Sequence, residues 1–124
     1  MTTWTGPDLT AIGDAAELRL SPQLANGNLR SPVTIWVVRA GDGLYIRSYM
    51  GNGAAWYRDA QASGRGRISA GGVEADVSLA EAPPAAAADV DAAYRAKYRA
   101  YDASVLDPIV APTAQSATMR LTPR

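Results

Sequence analysis

The residues best suited to chemistry lie on one predicted strand and in the glycine-rich turn that follows it. On an extended strand, side chains alternate between faces, so Tyr45, Arg47 and Tyr49 share one face. The turn Gly51-Asn52-Gly53 comes next and is expected to leave backbone N–H groups free for an anion. A helix predicted immediately after the turn adds the positive end of its dipole. Strand arginine, glycine turn and helix start together favour a phosphate-binding cradle.

Further donors and flat rings surround this segment. Fork-shaped guanidinium groups match phosphate or carboxylate, and they are supplied by Arg58, Arg65 and Arg67. Aromatic rings that could stack on a heterocycle or fill the core belong to Trp36, Trp56 and Tyr57. The alternative interpretation is that the glycine turn only joins a strand to a helix and that the arginines are solvated.

The sequence contains neither histidine nor cysteine. This excludes disulfides, thiolate nucleophiles and thiolate-bound metals, and it removes the commonest general base. An ordinary serine-hydrolase triad is excluded for the same reason. The remaining acid or base candidates are carboxylates, tyrosines and Lys97. The carboxylates follow no calcium-loop pattern, so we expect no metal site.

The length and charge of the chain indicate how many domains it has and which kinds of partner it is suited to bind. Its 124 residues fit a single domain spanning 1–124. Lys plus Arg and Asp plus Glu both total 12, giving a net charge of zero, which disfavours nucleic acid and anionic membranes as partners. No apolar run approaches the roughly 20 residues of a membrane span, and the first residues lack signal-peptide features. We therefore expect a cytoplasmic protein.

Apolar periodicity and turn signals predict short strands joined by hairpins, with helices between them. Residues 25–32 have the composition of an exposed loop. Strands are predicted at 17–20, 33–39, 44–50, 67–70, 73–79 and 117–122, and helices begin near Thr5 and cover 54–62 and 87–101. On the last helix, Asp91 and Arg95 are expected to form an i,i+4 pair facing solvent. The pattern predicts an α+β fold with an antiparallel barrel or curled sheet.

Residues 33–62 resemble a known superfamily, and the resemblance covers most of the chain. Val-Thr-Ile-Trp-Val-Val-Arg at residues 33–39, the Gly51-Asn52-Gly53 turn and Trp56-Tyr57-Arg58-Asp59-Ala60 are similar to the FMN-binding split barrels. The similarity is closest to their deazaflavin-dependent nitroreductase-like branch. Residues 91–98 and 121–124 resemble a small bacterial family of unknown function within that superfamily. The resemblance implies a six-stranded antiparallel split β-barrel with flanking helices, usually a homodimer.

The resemblance also implies a cofactor, FMN or a deazaflavin, held near the dimer interface, with its phosphate bound at the strand and turn that match Arg47 to Gly53. By position, it assigns the phosphate site to Arg47, Ser48, Gly51, Asn52 and Arg58, with Trp56 packing beneath. With the strand face and turn described above, the candidate cofactor-binding residues are Tyr45, Arg47, Ser48, Gly51, Asn52, Gly53, Trp56 and Arg58. No catalytic residue is assigned.

Three functions remain open. The first is a flavin- or deazaflavin-dependent oxidoreductase acting on a small organic acceptor of nitro, quinone or enone type, in which the cofactor supplies the chemistry. The second is a non-catalytic module that holds a flavin, a haem breakdown product or another anionic planar ligand. The third is a cofactor-free enzyme that uses Tyr, Asp or Glu with Lys97 as acid and base.

Overall fold

A computed structural model describes residues 3–124. Its strands form one curled antiparallel sheet in the order β2-β1-β5-β6-β7-β4-β3. Their bounds are β1 Leu18–Pro22, β2 Val33–Ile35, β3 Val38–Ala40, β4 Gly43–Arg47, β5 Arg65–Ala70, β6 Val73–Glu81 and β7 Thr118–Pro123. The helices are α1 Gly6–Asp14, α2 Ala55–Ser63, α3 Ala87–Lys97, α4 Ala103–Val110 and α5 Pro112–Gln115, with 3₁₀ turns at Gly51–Gly53 and Pro84–Ala86. The α+β class and the antiparallel curled sheet are confirmed.

The predicted count of six strands is wrong, because the segment 33–39 forms two strands and the sheet has seven. β2 pairs with β1, whereas β3 pairs with β4 at the opposite end of the sheet. Between them, Trp36 and Val37 carry the chain from one edge of the sheet to the other. Extended segments change sheets at such bends in orthogonal β packings. We call these two residues the barrel corner, since they join both edges of the half-barrel.

Both faces of β4 are buried, and this divides the core into two clusters. Leu44 and Ile46 point into the barrel with the inward side chains of β1, β5, β6 and β7. Tyr45 belongs to the second cluster, which lies among β3, α3 and α4 and includes Val90, Tyr94, Tyr98 and Ile109. Alternation along the strand therefore sends Tyr45 and Arg47 toward the helices that cover the barrel.

β4 ends at Arg47 and does not extend to Met50 as predicted. Its pairing with β7 stops at Arg47 opposite Thr118, and Tyr49 and Met50 lie in an exposed turn. The predicted face of Tyr45, Arg47 and Tyr49 thus holds for the first two residues only. Gly51, which follows this turn, has φ of +60°, a conformation that favours glycine.

The first helix follows its sequence signals. The side-chain oxygen of Thr5 accepts from the backbone N–H of Asp8 at 3.2 Å, and a proline lies in the first turn.

α3 ends at Lys97, four residues before the predicted end at Tyr101. Within residues 3–124, no helix has the length and apolar character needed to cross a membrane.

Candidate functional site

A cleft of two adjoining cavities lies where β4 ends, beside β2 and α4. The first cavity, of about 300 Å³, is mostly apolar, and its walls include Ile35, Trp36, Val105, Pro108 and Ile109. The second, of about 380 Å³, is more polar and is bordered by the start of α2. Both cavities are lined by Thr34, Ile35, Arg47 and Tyr49, so they form one continuous cleft. These volumes lie in the range of small-molecule sites.

Arg47, the expected phosphate ligand, is held by the protein itself. Its side chain is fully buried, and Nε donates to Thr118 Oγ1 at 2.8 Å. Nη1 donates to Asp91 Oδ1 and to the carbonyl of Ile109 at 3.0 Å, and Nη2 donates to the carbonyl of Ala87 at 3.2 Å. The guanidinium also lies 5.5 Å from the ring centre of Tyr94. Four of its five N–H groups are thus engaged in joining β4 to α3, α4 and β7.

Asp91 completes this arrangement and does not form the predicted pair with Arg95. One carboxylate oxygen accepts from Arg47, and the other accepts from Gln115 Nε2 at 2.8 Å. The predicted i,i+4 pair is wrong because Asp91 lies on the inward side of α3, where a buried arginine requires a counter-charge.

The glycine turn satisfies much of its own backbone. Ser48 Oγ donates to the carbonyl of Gly51 at 2.8 Å, and the N–H of Gly51 donates back to the carbonyl of Ser48 at 3.0 Å. The N–H of Gly53 donates to the carbonyl of Met50 at 3.0 Å. A Cβ on Gly51 would lie 2.8 Å from Thr113 Cγ2, so glycine also permits close packing against α5. The turn uses these two N–H groups internally.

Arg58 and Tyr45 lie near the end of β4 and the glycine turn, but they do not line the cleft. Arg58 Nη1 donates to the carbonyls of Asn52 at 2.8 Å and Gly53 at 3.0 Å, and its side chain is exposed. Tyr45 is buried on the helix side of the sheet beneath Arg120, whose guanidinium lies 5.8 Å from its ring centre. Of the eight predicted site residues, the structure brings Arg47, Ser48, Gly53 and Trp56 to the cleft wall, and Tyr45, Gly51, Asn52 and Arg58 lie outside the lining.

Arg30 is not among the predicted site residues, and it lies in the segment 25–32, whose composition predicts an exposed loop. Arg30 lines the second cavity, and its Nη1 is buried with no hydrogen-bond partner among residues 3–124. Its Nε lies 3.6 Å from Asp59 Oδ2, beyond hydrogen-bond distance. A buried donor that lacks a partner is costly, and this distinguishes Arg30 from Arg47, whose donors are bonded within the protein. The only signal in the sequence was an arginine just ahead of a strand.

The start of α2 borders the same cavity. Its N-cap is Ala54, so in the part of the chain that is described no side chain caps the first N–H groups of the helix. Ala54, Ala55 and Trp56 all line the cavity beside Arg30. The dipole of the helix and the arginine both favour negative charge at this end of the cleft.

Carboxylates and amines are absent from the cleft lining as far as residues 3–124 are concerned. Its ionisable members are Arg30, Arg47 and Tyr49. Lys97, the expected acid or base, lies outside the lining, at the end of α3. Across the described residues, no three His, Cys, Asp or Glu side chains group to hold a metal ion. The cleft thus offers an apolar wall and anion donors.

The family of this chain is shown by its sequence. A family model described as "Uncharacterized protein conserved in bacteria (DUF2255)" matches residues 8–121. This chain belongs to that family. The predicted resemblance to a small bacterial family of unknown function is thereby confirmed. No curated protein matches the DUF2255 chain.

Solved structures share the fold of this DUF2255 member at low sequence identity. A conserved hypothetical protein, Rv2991 from Mycobacterium tuberculosis, matches with a TM-score of 0.60 and 9% identity, covering 98% of this chain and 80% of that protein. A pyridoxamine 5'-phosphate oxidase-related, FMN binding protein from Nostoc punctiforme matches with a TM-score of 0.51 and 15% identity, covering 99% and 80%. The split-barrel resemblance is confirmed at the level of the fold.

Proposed function

We propose that this chain binds a flavin-type cofactor, FMN or a deazaflavin, in the cleft at the end of β4. The observation that carries the proposal is the continuity of an apolar cavity with a more polar one that is lined by the partly exposed side chain of Arg30. A flavin has the same two parts, a flat apolar ring system and an anionic tail. The likeness to a protein described as FMN binding adds support at the level of the fold.

The residues divide between the two ends of such a ligand. Arg30 and the uncapped start of α2 are suited to hold the phosphate, and Trp36 and Ile109 to border the ring. The predicted site residues then have different parts: Arg47, Ser48, Gly53 and Trp56 form the wall, whereas Tyr45, Gly51, Asn52 and Arg58 support it. The weak contact of Arg30 with Asp59 can yield to a phosphate, which bonds two guanidinium nitrogens at once.

The activity that this site would serve is oxidation and reduction of a small organic acceptor of nitro, quinone or enone type. A bound flavin supplies hydride and electron transfer. The chain orients the ring, binds the phosphate and excludes water from the apolar cavity.

Titration of FMN and riboflavin, followed by quenching of flavin fluorescence, tests the site. Riboflavin lacks the phosphate, so FMN should bind the native protein more tightly. Arg30→Gln should remove most of that advantage, by about 10- to 150-fold in Kd for a lost charged hydrogen bond of about 1.5–3 kcal/mol. Arg95→Gln removes the same charge from the exposed side of α3 and should change neither affinity.

Each outcome of this titration decides one point. If neither flavin binds, the proposed function is wrong. If FMN and riboflavin bind equally, or if Arg30→Gln leaves their ratio unchanged, the phosphate assignment to Arg30 is wrong.

A non-catalytic binding module is the second candidate. It is favoured by a cleft lining in which the described residues place no carboxylate, histidine or lysine for proton transfer. Oxidation of a reduced, bound flavin by a nitroaromatic or quinone separates the two candidates. Turnover that exceeds the rate of the free cofactor supports the enzyme, and a rate no greater than that supports the module.

We also propose that the chain forms a homodimer around the mouth of this cleft. Large apolar side chains are exposed there, including Tyr49, Met50 and Val105. Sedimentation velocity over a range of concentrations measures the oligomeric state. A monomer at every concentration would refute the dimer without affecting the ligand proposal.

A further inference from the structure

The end of α3 bonds directly to the barrel corner. Lys97 Nζ donates to the carbonyl of Ala15 at 2.5 Å and to that of Val37 at 2.6 Å. The hydroxyl of Tyr98 donates to the carbonyl of Ala16 at 2.9 Å and lies 3.3 Å from that of Val37. Two neighbouring side chains of one helix thus converge on a single carbonyl of the corner.

The corner needs these donors because it belongs to neither strand ladder. β2 ends at Ile35 and β3 begins at Val38, so Trp36 and Val37 lie outside the described strand pairs. Val37 is fully buried, and a buried carbonyl that lacks a partner is costly. Lys97 and Tyr98 supply the hydrogen bonds that a continuous strand would have supplied.

Trp36 connects the corner to the ligand cleft. One face of its ring stacks on Tyr98, with ring centres 3.9 Å apart and planes 7° apart. Tyr101 also packs against it, with centres 5.1 Å apart. Trp36 lines the apolar cavity as well. The same helix end therefore holds the backbone beside Trp36 and the ring of Trp36 itself.

Lys97 is the only lysine in a chain with 12 basic residues. An ammonium is a compact donor that fits between two carbonyls, whereas a guanidinium is a wide planar fork. The charged or titratable groups around this contact are Asp14 at the end of α1, Glu17 ahead of β1, and the hydroxyls of Tyr98 and Tyr101. Asp14 is the one that supports the charge on Lys97.

We infer that Lys97 is a positioning residue for the ligand cleft: by holding Val37 it fixes Trp36 as the aromatic wall for the ring of a bound planar ligand. The role of Trp36 in binding a ligand rests on the proposed function. The hydrogen bond from Lys97 to the carbonyl of Val37, the residue after Trp36, belongs to the protein alone, and its effect on Trp36 is measurable without a ligand.

The first experiment uses the ligand-free protein. Lys97→Met keeps the aliphatic stem and removes the donors, so the near-UV circular dichroism of Trp36 should change while the far-UV spectrum is retained. Trp36→Phe assigns the band, because in that background Lys97→Met should produce little further change. Arg99→Gln is the matched control, since its guanidinium is exposed and donates to the carbonyl of Ala96 near the end of α3. An unchanged Trp36 band in Lys97→Met overturns the inference.

The second experiment compares flavins. Because Trp36 contacts the ring rather than the phosphate, Lys97→Met should weaken FMN and riboflavin alike, by about twofold to tenfold for a misplaced aromatic contact. Arg30→Gln, in contrast, should affect FMN alone. In the Trp36→Phe background the effect of Lys97→Met should vanish, since coupled residues are not additive. Additive losses, or a loss confined to FMN, overturn the inference.

Failure of the two proposals can be told apart. If the native protein binds neither flavin, the proposed function is wrong, and the ligand-free spectra alone decide the role of Lys97. If Lys97→Met does not fold, Tyr98→Phe takes its place, because it keeps the stacked ring and removes one donor to Val37. A smaller change of the same Trp36 band in Tyr98→Phe supports the inference, and an unchanged band overturns it.

Discussion

Arg47 is a buried cation whose counter-charge comes from another element. Its side chain is fully buried, and that of Asp91 is 24% exposed. Replacing Arg47 by Met should lower the free energy of unfolding by about 3–5 kcal/mol, because the partners of the guanidinium lose their bonds while Asp91 keeps its charge. Urea denaturation followed by circular dichroism measures the loss.

The exposed pair of Arg67 and Asp76 is the control for this prediction. Its nitrogen and oxygen lie 3.0 Å apart, but the side chains are 43% and 62% exposed. Arg67→Met should therefore cost about 1 kcal/mol or less. Equal losses in the two variants would contradict a structural role for the buried pair.

Arg47 and Arg30 show which part of the site can be predicted from the sequence. The position of Arg47 on a strand ahead of a glycine turn predicts a site residue, and both the strand and the turn are observed. Its donors are engaged by Asp91, Thr118 and two carbonyls, all distant in sequence, and no local pattern reports such partners. The composition around Arg30 predicts only an exposed loop, yet folding brings Arg30 beside the start of α2.

At the scale of elements, the hairpin between β5 and β6 allows the same substitution to be compared at two neighbouring glycines. Gly71 and Gly72 have φ of +58° and +83°, as a two-residue hairpin turn requires. A Cβ on Gly72 would meet open space, whereas on Gly71 it would lie 2.1 Å from the carbonyl oxygen of Ala11 in α1. Gly72→Ala should cost about 1 kcal/mol in unfolding free energy from backbone strain, and Gly71→Ala about 1–3 kcal/mol more.

Thermal or urea unfolding of the two variants measures this difference. The substitution and the backbone region are the same, so the difference isolates the clash with α1. Equal stabilities would show that the hairpin does not pack against α1 as described.

The secondary-structure features that the sequence predicts correctly are those determined by residues close together in the chain. The Thr5 cap, the glycine hairpins and the alternation in β6 are set by residues close in sequence, and each is observed. The division of 33–39 into β2 and β3 has no such cause, because its β-branched residues favour strand throughout. The break occurs where Lys97 and Tyr98 bond to Val37, and these partners come 60 and 61 residues later in the chain. Tertiary contacts decided the strand count.

For the whole molecule, two of the polar contacts among residues 3–124 join the barrel to opposite ends of α3. Arg47 ties the end of β4 to α3, α4 and β7, and Lys97 ties the other end of α3 to the barrel corner. The cleft lies between these two ties, with Arg47 in its wall and Trp36 at its apolar end. A ligand in the cleft therefore contacts residues fixed from both ends of α3, which favours a preorganised site.

The buried titratable groups predict how the stability of the whole molecule changes with pH. Burial lowers the pKa of Lys97 from 10.5 to about 8, against the opposing charge of Asp14. Between these values the unfolded chain binds more protons than the folded one, so this group makes the free energy of unfolding rise with pH. The neutral amine keeps two N–H groups for the carbonyls of Ala15 and Val37.

At higher pH, the buried tyrosines change the free energy of unfolding in the direction opposite to that of Lys97. Burial raises the pKa of Tyr98 from 10.0 to about 12, and it also raises the pKa values of Tyr94 and Tyr57. Above pH 10 the unfolded chain loses phenolic protons that the folded protein keeps, so these groups make the free energy of unfolding fall. From the two kinds of group together we expect a rise from pH 8 toward 10, followed by a steep loss.

Comparison of the native protein with Lys97→Met separates the lysine from the tyrosines. The tyrosine contribution is common to both proteins, so the difference in unfolding free energy should grow in favour of the native protein between pH 8 and 10 and level off near 10.5. Urea denaturation in buffers of constant ionic strength measures it. A difference that is constant across this range would show that Lys97 titrates normally, and one that shrinks would mean that its pKa is raised in the fold.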